Sequence, residues 1–318
     1  MKCRVCGNEK NNSLYSVKEM RMGLRTPFNY FECSECGCLQ ICEIPEDISK
    51  YYPSDYGPHN VNEGFATKLY DLLLVYIVFR NSVIGYLLYK FVNYNKNYVI
   101  FYEVLHTFKK RNLLKKESKI LDVGCADGHF LSILKKGGCK NLTGIDLFID
   151  EEKFKKDIAL IKTSLDEYEP DLKFDFIFLN HSFEHMDDPV ENLARLKELL
   201  EEDGFLFISI PVKSDLIWKD YGVNWLGVDA PRHIVLYTPE GFEILCEKVG
   251  LKIEEVIYDS KAASFFLSEC FKRDIAIDEE NDAYVLSKKE MDLLEVKASK
   301  RNQIKQGDRA IFILTRNK

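Results

Sequence analysis

The stretch KILDVGCADG at residues 119–128 decides the fold class of this chain. Its first half is an apolar strand, and its second half is a turn that contains Gly124 and Gly128. A helical pattern follows over residues 129–136, and the next apolar segment ends on Asp146. Glycines let a backbone approach a ligand, and a carboxylate at the end of the second strand can bind both hydroxyls of a ribose. The stretch therefore predicts half of a nucleotide-binding α/β sheet.

The spacing of these residues favours one class of ligand. The dinucleotide pattern G-x-G-x-x-G is absent from this region, which instead reads Asp122-x-Gly124-x-Ala126-x-Gly128. This resembles the first motif, D/E-x-G-x-G-x-G, of class I S-adenosylmethionine-dependent methyltransferases. Ala126 departs from the second glycine of the motif, and its methyl group is expected to narrow the turn without filling the site. A tight turn that binds nothing is the alternative.

The resemblance implies S-adenosylmethionine as the cofactor. It implies that Asp122 lies near the methionine end of the cofactor, that Asp146 binds the ribose, and that the segment after the third strand contacts the adenine. The cofactor-binding residues predicted in this way are Asp122, Gly124, Ala126, Gly128, Asp146, Leu147, Ser164, Leu165 and Asn180.

Strand and helix patterns alternate through the rest of the chain. The segment FDFIFL at 174–179 is nearly all apolar, as a central parallel strand must be. Asp188 and Pro189 predict the start of a helix that continues to about Gly204. We expect an α/β fold, a doubly wound, Rossmann-like sheet of seven strands whose last strand is antiparallel. A charged, helical insertion is expected at 261–308.

The length and composition of the chain predict a globular protein with more than one structural unit. The chain has 318 residues, of which 46% are hydrophobic and 30% charged. We predict a zinc-ribbon domain at 1–60, a helical linker or lid at 61–117 and a methyltransferase domain at 118–318. A net charge of −7 argues against nucleic acid as the main partner. The first residues lack the apolar run of a signal peptide, so we expect a cytoplasmic protein with reduced thiols.

Two cysteine pairs mark the N-terminal region. Cys3 and Cys6 form one C-x2-C pair, and Cys33 and Cys36 form the other. Two such pairs provide four thiolates for a tetrahedral, structural Zn²⁺ site, with short strands between them. Unmetallated thiols or a redox pair are the alternatives, and Cys38 or Cys42 can replace one ligand.

The segment between the ribbon and the sheet has two features. Residues 51–59 are rich in aromatic and turn residues, and Tyr56 and His59 are predicted to line the acceptor pocket. Residues 69–92 are apolar but too interrupted to span a membrane, so buried or lid helices are expected. With the basic run at 109–116, the region 69–116 can also rest on the inner face of a membrane.

Histidines after the central strands are candidates for the chemistry. His181 follows the fourth strand, and His185 lies in an EHMDDP loop that often has a framework role in the methyltransferase family. His233 lies in a loop, beside Arg232, which can bind a phosphate group. We predict His233 or His181 as the general base. A metal at His181, His185 and Asp187 is a less favoured interpretation.

The chain resembles methyltransferases of sugar and polysaccharide gene clusters, some of which carry an N-terminal zinc-binding unit. The resemblance implies O- or C-methylation of a sugar, as a nucleotide sugar, a lipid-linked sugar or another glycan precursor. An RNA base methyltransferase with a zinc ribbon is the second hypothesis, but the fourth strand does not end in the D/N-P-P-Y/F run of such enzymes. A non-catalytic scaffold is the third. The acceptor, the methylated atom and the oligomeric state stay open.

Overall fold

The computed structural model describes residues 1–52, 75, 105, 115–149, 153–155, 157–277 and 286–317. Contacts divide the chain into two compact units. The cysteine unit comprises Met1–Pro53, Asn180–Lys197 and Leu206–Lys318. The glycine-turn unit comprises Ser54–Leu179 and Glu198–Phe205. The predicted linker at 61–117 falls largely outside the described residues, and the predicted domain limits stay predictions.

Strands and helices alternate along the described chain. The strands are β1 Ser13–Lys18, β2 Pro27–Glu32, β3 Leu39–Ile41, β4 Lys119–Val123, β5 Asn141–Ile145, β6 Lys153–Lys155, β7 Ile158–Ile161, β8 Phe174–Asn180, β9 Leu200–Pro211, β10 Val235–Leu236, β11 Leu251–Tyr258 and β12 Arg309–Arg316. The helices are α1 His129–Lys136, α2 Pro189–Leu199, α3 Asp215–Tyr221, α4 Pro239–Val249, α5 Ala262–Lys272 and α6 Lys288–Gln303.

The larger sheet has eight strands in the order β11-β12-β9-β8-β4-β5-β7-β6. Strands β5, β4 and β8 are parallel neighbours, and β12 runs antiparallel to both β9 and β11. This confirms the predicted doubly wound sheet of seven strands with its last strand antiparallel. The short strand β6, which pairs antiparallel with β7, is an eighth strand that the sequence did not predict.

The core of the glycine-turn unit is formed by buried apolar residues of β4 and β8. Ile120, Leu121, Ile177 and Leu179 are completely buried in neighbouring strands β4 and β8. A parallel strand is covered on both faces, so nearly every position must be apolar. From α1, Phe130 packs on Phe178 with ring centroids 4.2 Å apart. The register sets Leu179 opposite Val123, so both strands end at the same edge of the sheet.

The ends of helices follow capping chemistry. Helix α2 begins at Pro189, and the Asp188 carboxylate accepts a hydrogen bond from the backbone N–H of Glu191, as predicted. The helix ends at Leu199, five residues before the predicted end at Gly204. Glu201, Glu202 and Asp203 follow, and acidic side chains are unfavourable at the negative end of a helix.

A second sheet, in the order β1-β2-β3-β10, belongs to the cysteine unit. Strand β10 comes from residues 235–236, so the N-terminal ribbon shares its sheet with a segment distant in sequence. Thr238 makes a second connection, because its hydroxyl donates to the Cys36 carbonyl at 2.6 Å and accepts from the Gly241 N–H at 2.9 Å. The ribbon is therefore an integral part of its unit.

No helix in the described parts of the chain is long and apolar enough to cross a lipid bilayer. Residues 69–116, for which we predicted contact with a membrane surface, lie almost entirely outside the described residues. That contact stays a prediction. The insertion at 261–308 contributes helices α5 and α6, with residues 278–285 outside the described ranges.

Gly128 is expected to be the glycine of the turn that tolerates substitution least. A methyl group there would lie 2.9 Å from Cδ2 of Leu160, at a φ of +76°. At Gly138, after α1, the φ of +101° is also unfavourable, but the nearest contact would be an ordinary 3.5 Å. Both alanine variants incur about 1–2 kcal/mol of backbone strain, and Gly128→Ala loses about 1–3 kcal/mol more through overpacking. Urea unfolding measures the difference, and equal losses would contradict this account.

Candidate functional site

The glycine turn joins β4 to α1 in a left-handed backbone conformation. The φ angles of Gly124, Ala126 and Gly128 are +77°, +48° and +76°. The N–H groups of Gly124 and Cys125 donate to the Ile145 carbonyl at 2.8 and 3.2 Å, which folds the turn against the end of β5. Ala126 thus keeps the backbone conformation that the glycine of the motif would have, at a cost of about 1–2 kcal/mol.

Asp146 stands at the end of β5 with its carboxylate directed to the turn. One oxygen accepts the Ala126 N–H at 2.9 Å, and the other accepts the Phe148 N–H at 2.7 Å. Each carboxylate oxygen retains a second lone pair. The side chain is thus fixed in place and can still accept hydrogen bonds from the two hydroxyls of a ribose, which fits its predicted role.

Asp122 is a buried acid on β4. It is 3% exposed, and within the described residues its side chain makes no hydrogen bond or ion pair. Burial, followed by the charges of Asp146 and Asp127, raises the pKa of the Asp122 carboxyl well above its ordinary value. A buried carboxylate without a partner is unfavourable unless a cation neutralises it. Its position fits the positively charged methionine end of S-adenosylmethionine.

The other predicted cofactor residues lie after the carboxyl ends of three strands. At the end of β8, the side-chain oxygen of Asn180 is buried and has no hydrogen-bond partner among the described residues. After β5, Leu147 is half exposed. After β7, Leu165 is buried, and Ser164 accepts the Glu167 N–H at 3.3 Å through its hydroxyl. Leu147, Ser164 and Leu165 belong to the glycine-turn unit together with the turn itself, and an exposed leucine suits the face of a nucleobase; Asn180 belongs to the cysteine unit, and its contact with the cofactor stays a prediction.

The four predicted cysteine ligands converge in the cysteine unit. The sulfur atoms of Cys3 and Cys36 are 3.6 Å apart, those of Cys6 and Cys33 are 3.4 Å apart, and all four lie within 4.8 Å of one another. A zinc tetrahedron with bonds of about 2.3 Å has sulfur atoms about 3.8 Å apart. The geometry therefore fits a four-thiolate metal site.

The local environment of the four thiols also fits a metal site. In each pair the glycine that follows the second cysteine donates its N–H to the carbonyl of the first, at 2.9 Å. The hydrogen bond to Cys36, with burial, raises the pKa of the Cys3 thiol to about 12, and burial raises that of Cys6 to about 11. A thiolate disfavours the ionisation of the thiols next to it, because their negative charges repel one another. A bound cation neutralises that repulsion. Cys38 and Cys42 contact Thr238 and Met1 instead.

A second polar cluster in the cysteine unit surrounds the buried Glu184. One of its oxygens lies 3.1 Å from Nδ1 of His181 and 3.9 Å from Nε2 of His233. Burial raises the pKa of Glu184, but the hydrogen bond and charge of His181 and the charges of His185 and His233 outweigh burial and lower it to about 2. Glu184 is therefore a carboxylate at neutral pH.

The two candidate bases differ in access. Burial, followed by the charge of His185, lowers the pKa of His233 to about 4, and Nδ1 of His233 contacts the Gly227 carbonyl at 2.7 Å. His181 has a side chain that is 37% exposed and a left-handed φ of +52°. Because its Nδ1 faces the Glu184 carboxylate, this nitrogen carries the proton and Nε2 keeps its lone pair. His181 is therefore the more accessible base of the two.

Arg232 is not available for the phosphate group that we predicted it to bind. Its guanidinium donates to both oxygens of Asp229, to Glu19 and to the Tyr51 carbonyl, and its side chain is completely buried. The prediction was wrong because the hydrogen-bond donors are occupied inside the protein. No sequence pattern marks Glu19, which lies 213 positions from Arg232.

Comparison with known proteins gives the family. A family model described as Methyltransferase domain matches residues 95–256, a little over half of the 318-residue chain. The chain belongs to this methyltransferase domain family. The match confirms that the chain contains a methyltransferase domain, whose predicted limits of 118–318 stay a prediction.

Two curated relatives each match about a third of this chain. The tRNA U34 carboxymethyltransferase of Campylobacter hominis is 34% identical over 116 residues, 32% of this chain and 41% of that protein. The ubiquinone biosynthesis O-methyltransferase of Actinobacillus pleuropneumoniae is 31% identical over 105 residues, 29% of this chain and 44% of that protein. The chain spans less than half the length of each of these relatives. A methyltransferase structure from Archaeoglobus fulgidus has a TM-score of 0.42 and 19% identity, covering 73% of this chain and 99% of that one.

The structure distributes the predicted residues over the methyltransferase as follows. The glycine turn, Asp122 and Asp146 lie together in the glycine-turn unit, and the four cysteines lie together in the cysteine unit. His181 and His233 meet at Glu184. Tyr56 and His59 lie outside the described residues, so their role in the acceptor pocket stays a prediction.

Replacing Asp122 with asparagine is expected to stabilise the unliganded protein. The folded-state pKa of Asp122 is raised, so its unfavourable contribution is absent below about pH 4, grows as pH rises through the raised pKa and is complete above it. Asp122→Asn should therefore gain on the order of 1–3 kcal/mol at pH 8 and little at pH 4.

Denaturant unfolding at the two pH values measures this gain. Asp127→Asn is the matched comparison: Asp127 is an exposed carboxylate in the same turn whose charge is the smallest of the named causes of the raised pKa of Asp122, so its removal should give a smaller gain over the same pH range. A stability gain from Asp122→Asn that does not depend on pH would exclude ionisation as its cause.

Proposed function

We propose that this member of the methyltransferase domain family transfers a methyl group from S-adenosylmethionine to an oxygen or carbon atom of a sugar or glycan precursor. The observation that carries the reaction type is the His181–Glu184 pair, because methylation of a hydroxyl or an acidic C–H requires a base. The net negative charge of the chain disfavours a nucleic-acid acceptor. The resemblance to methyltransferases of sugar gene clusters supports a sugar as the acceptor.

The cofactor residues have separate tasks in this proposal. Asp146 accepts the ribose hydroxyls, and the left-handed turn from Gly124 to Gly128 lets the backbone approach the ligand. Asp122 faces the cationic end of the cofactor. S-adenosylmethionine, when bound, supplies a methyl group on a sulfonium centre, which is a reactive electrophile.

His181 acts as the general base. Glu184 holds its Nδ1–H, which fixes the tautomer and stabilises the positive charge that develops when Nε2 takes the acceptor's proton. Its place directly after β8 supports this role, because ligands of open α/β sheets lie beyond the carboxyl ends of the strands. His233, which is buried and has a depressed pKa, contributes by facing Glu184.

The four cysteines bind a structural Zn²⁺ ion in this proposal. Since all four positions are protein ligands, no place remains for a substrate on the metal. The ribbon makes hydrogen bonds within its unit, including that from the Tyr30 hydroxyl to the His233 carbonyl at 2.8 Å. The metal thus supports the loop that carries His233.

The acceptor is tested by incubating the purified chain with methyl-labelled S-adenosylmethionine and a panel of nucleotide sugars, lipid-linked sugars, unmodified tRNA and a polyprenylated phenol. We expect label on a sugar compound. Label on tRNA alone would replace the sugar hypothesis with the RNA hypothesis. Cofactor binding by calorimetry without label on any acceptor would favour a non-catalytic scaffold.

Substituting His181 tests the base. Asparagine suits the left-handed φ of +52° better than alanine does, so His181→Asn should fold normally. We expect kcat to fall by about 10²–10⁴-fold with unchanged affinity for S-adenosylmethionine, and added imidazole to restore part of the activity. The converse control is Asp122→Asn, which should bind the cofactor more weakly. Full activity of His181→Asn would remove His181 from the mechanism.

A further inference from the structure

Glu184, which orients the proposed base His181, also forms a group with His185 and His233 that has a second use. One carboxylate oxygen of Glu184 and one ring nitrogen each of His185 and His233 lie within 4.8 Å of one another. Glu184 is completely buried, and the rings of His185 and His233 have centroids 4.8 Å apart. These residues come from two loops about fifty positions apart in the sequence, so the fold brings them together.

The hydrogen bonds of the two histidines leave one ring nitrogen free on each. Nδ1 of His233 contacts the Gly227 carbonyl at 2.7 Å, and Nδ1 of His185 contacts the Arg232 carbonyl at 2.9 Å. A carbonyl oxygen only accepts, so both Nδ1 atoms carry protons and both Nε2 atoms have lone pairs. The Tyr52 hydroxyl, 3.1 Å from Nδ1 of His185, shares that N–H as a second acceptor. Metal-binding histidines characteristically donate their other ring N–H in this way.

Nε2 of His233 and the carboxylate oxygens near it are all hydrogen-bond acceptors, and no N–H or O–H group of the described residues is seen to bridge them. Nε2 of His233 lies 3.9 Å from a Glu184 oxygen and 3.8 Å from an Asp229 oxygen, too far for hydrogen bonds. The other Glu184 oxygen is buried and has no hydrogen-bond partner among the described residues. Arg232, the neighbouring cation, already donates through all three guanidinium nitrogens to Asp229, Glu19 and the Tyr51 carbonyl. A buried carboxylate oxygen and two imidazole lone pairs are therefore left for a cation.

We propose that Glu184, His185 and His233 bind a divalent first-row transition-metal ion, at a second metal site distinct from the four cysteines. Two imidazoles and one carboxylate are a ligand set for Zn²⁺ and Fe²⁺, and three protein ligands leave a place for water or an oxygen of a substrate. The Glu184 oxygen that accepts the His181 N–H is also the one 3.9 Å from Nε2 of His233, and the second Glu184 oxygen has no hydrogen-bond partner among the described residues, so the carboxylate can bind an ion while it holds His181. The proposal does not depend on the identity of the methyl acceptor.

Cobalt titration of the full chain tests the second site. The protein is stripped of metal under reducing conditions, given one equivalent of Zn²⁺ to fill the cysteine site, and titrated with Co²⁺. We expect one further equivalent to bind, with weak visible absorption and without the intense thiolate-to-cobalt charge-transfer band. NMR of the cobalt protein should show two exchangeable, paramagnetically shifted N–H signals, from Nδ1 of His185 and of His233. Native protein should contain two metal ions per chain by mass spectrometry.

Substitutions separate this site from adventitious binding. Glu184→Gln, which keeps the shape of the side chain, and His233→Asn should each weaken binding of the second Co²⁺ at least about 100-fold. His181→Asn is the matched control, because it removes a neighbour of Glu184 that is not a ligand, and it should retain the ion. Failure of the one-zinc protein to bind any Co²⁺, or Co²⁺ binding that both ligand substitutions leave unchanged, would overturn the proposal. Should a variant fail to fold, absence of the two shifted N–H signals in the wild-type protein would overturn it equally.

Discussion

The buried guanidinium of Arg232 is the contact on which the organisation of the cysteine unit depends. It joins the loop of Asp229 to Glu19 in the N-terminal ribbon and to the Tyr51 carbonyl. Glu19 in turn accepts three backbone N–H groups, from residues 21, 22 and 24, and so folds the turn between β1 and β2. Removing one member of such a buried network leaves charges without partners and costs about 3–5 kcal/mol.

The same network sets the electrostatics of the histidine cluster. Asp229 is neutralised by Arg232 and by Arg21, which lies 3.4 Å away. His233 stands one residue after Arg232, and the Ile234 N–H donates to the Glu184 carbonyl at 2.8 Å. Glu184 is therefore positioned by the loop that Arg232 anchors, and its negative charge remains for the histidines. A residue expected to bind substrate instead holds the framework around the proposed base.

The glycine-turn unit shows the opposite relation between charge and burial. Arg232 is buried with all three of its guanidinium nitrogens hydrogen-bonded, whereas Asp122 is buried with no partner among the described residues. The pKa of Asp122 is raised because burial and the neighbouring carboxylates disfavour its charged form in the folded protein. Groups of this kind are concentrated at functional sites, where a ligand supplies the missing interaction. The left-handed φ of Ala126 is a second local strain in the same turn.

Local patterns in the sequence determined the sheet, the glycine turn and the cysteine pairs, because each depends on residues close together along the chain. The apolar run of β8, the capping of α2 by Asp188 and the C-x2-C pairs are all of this kind. Only the tertiary structure decided which long-range polar partners Arg232 has, how the ribbon enters a sheet with β10, and which histidine is accessible. These outcomes depend on contacts between positions as much as 213 residues apart, and such contacts produce no repeating pattern in the sequence.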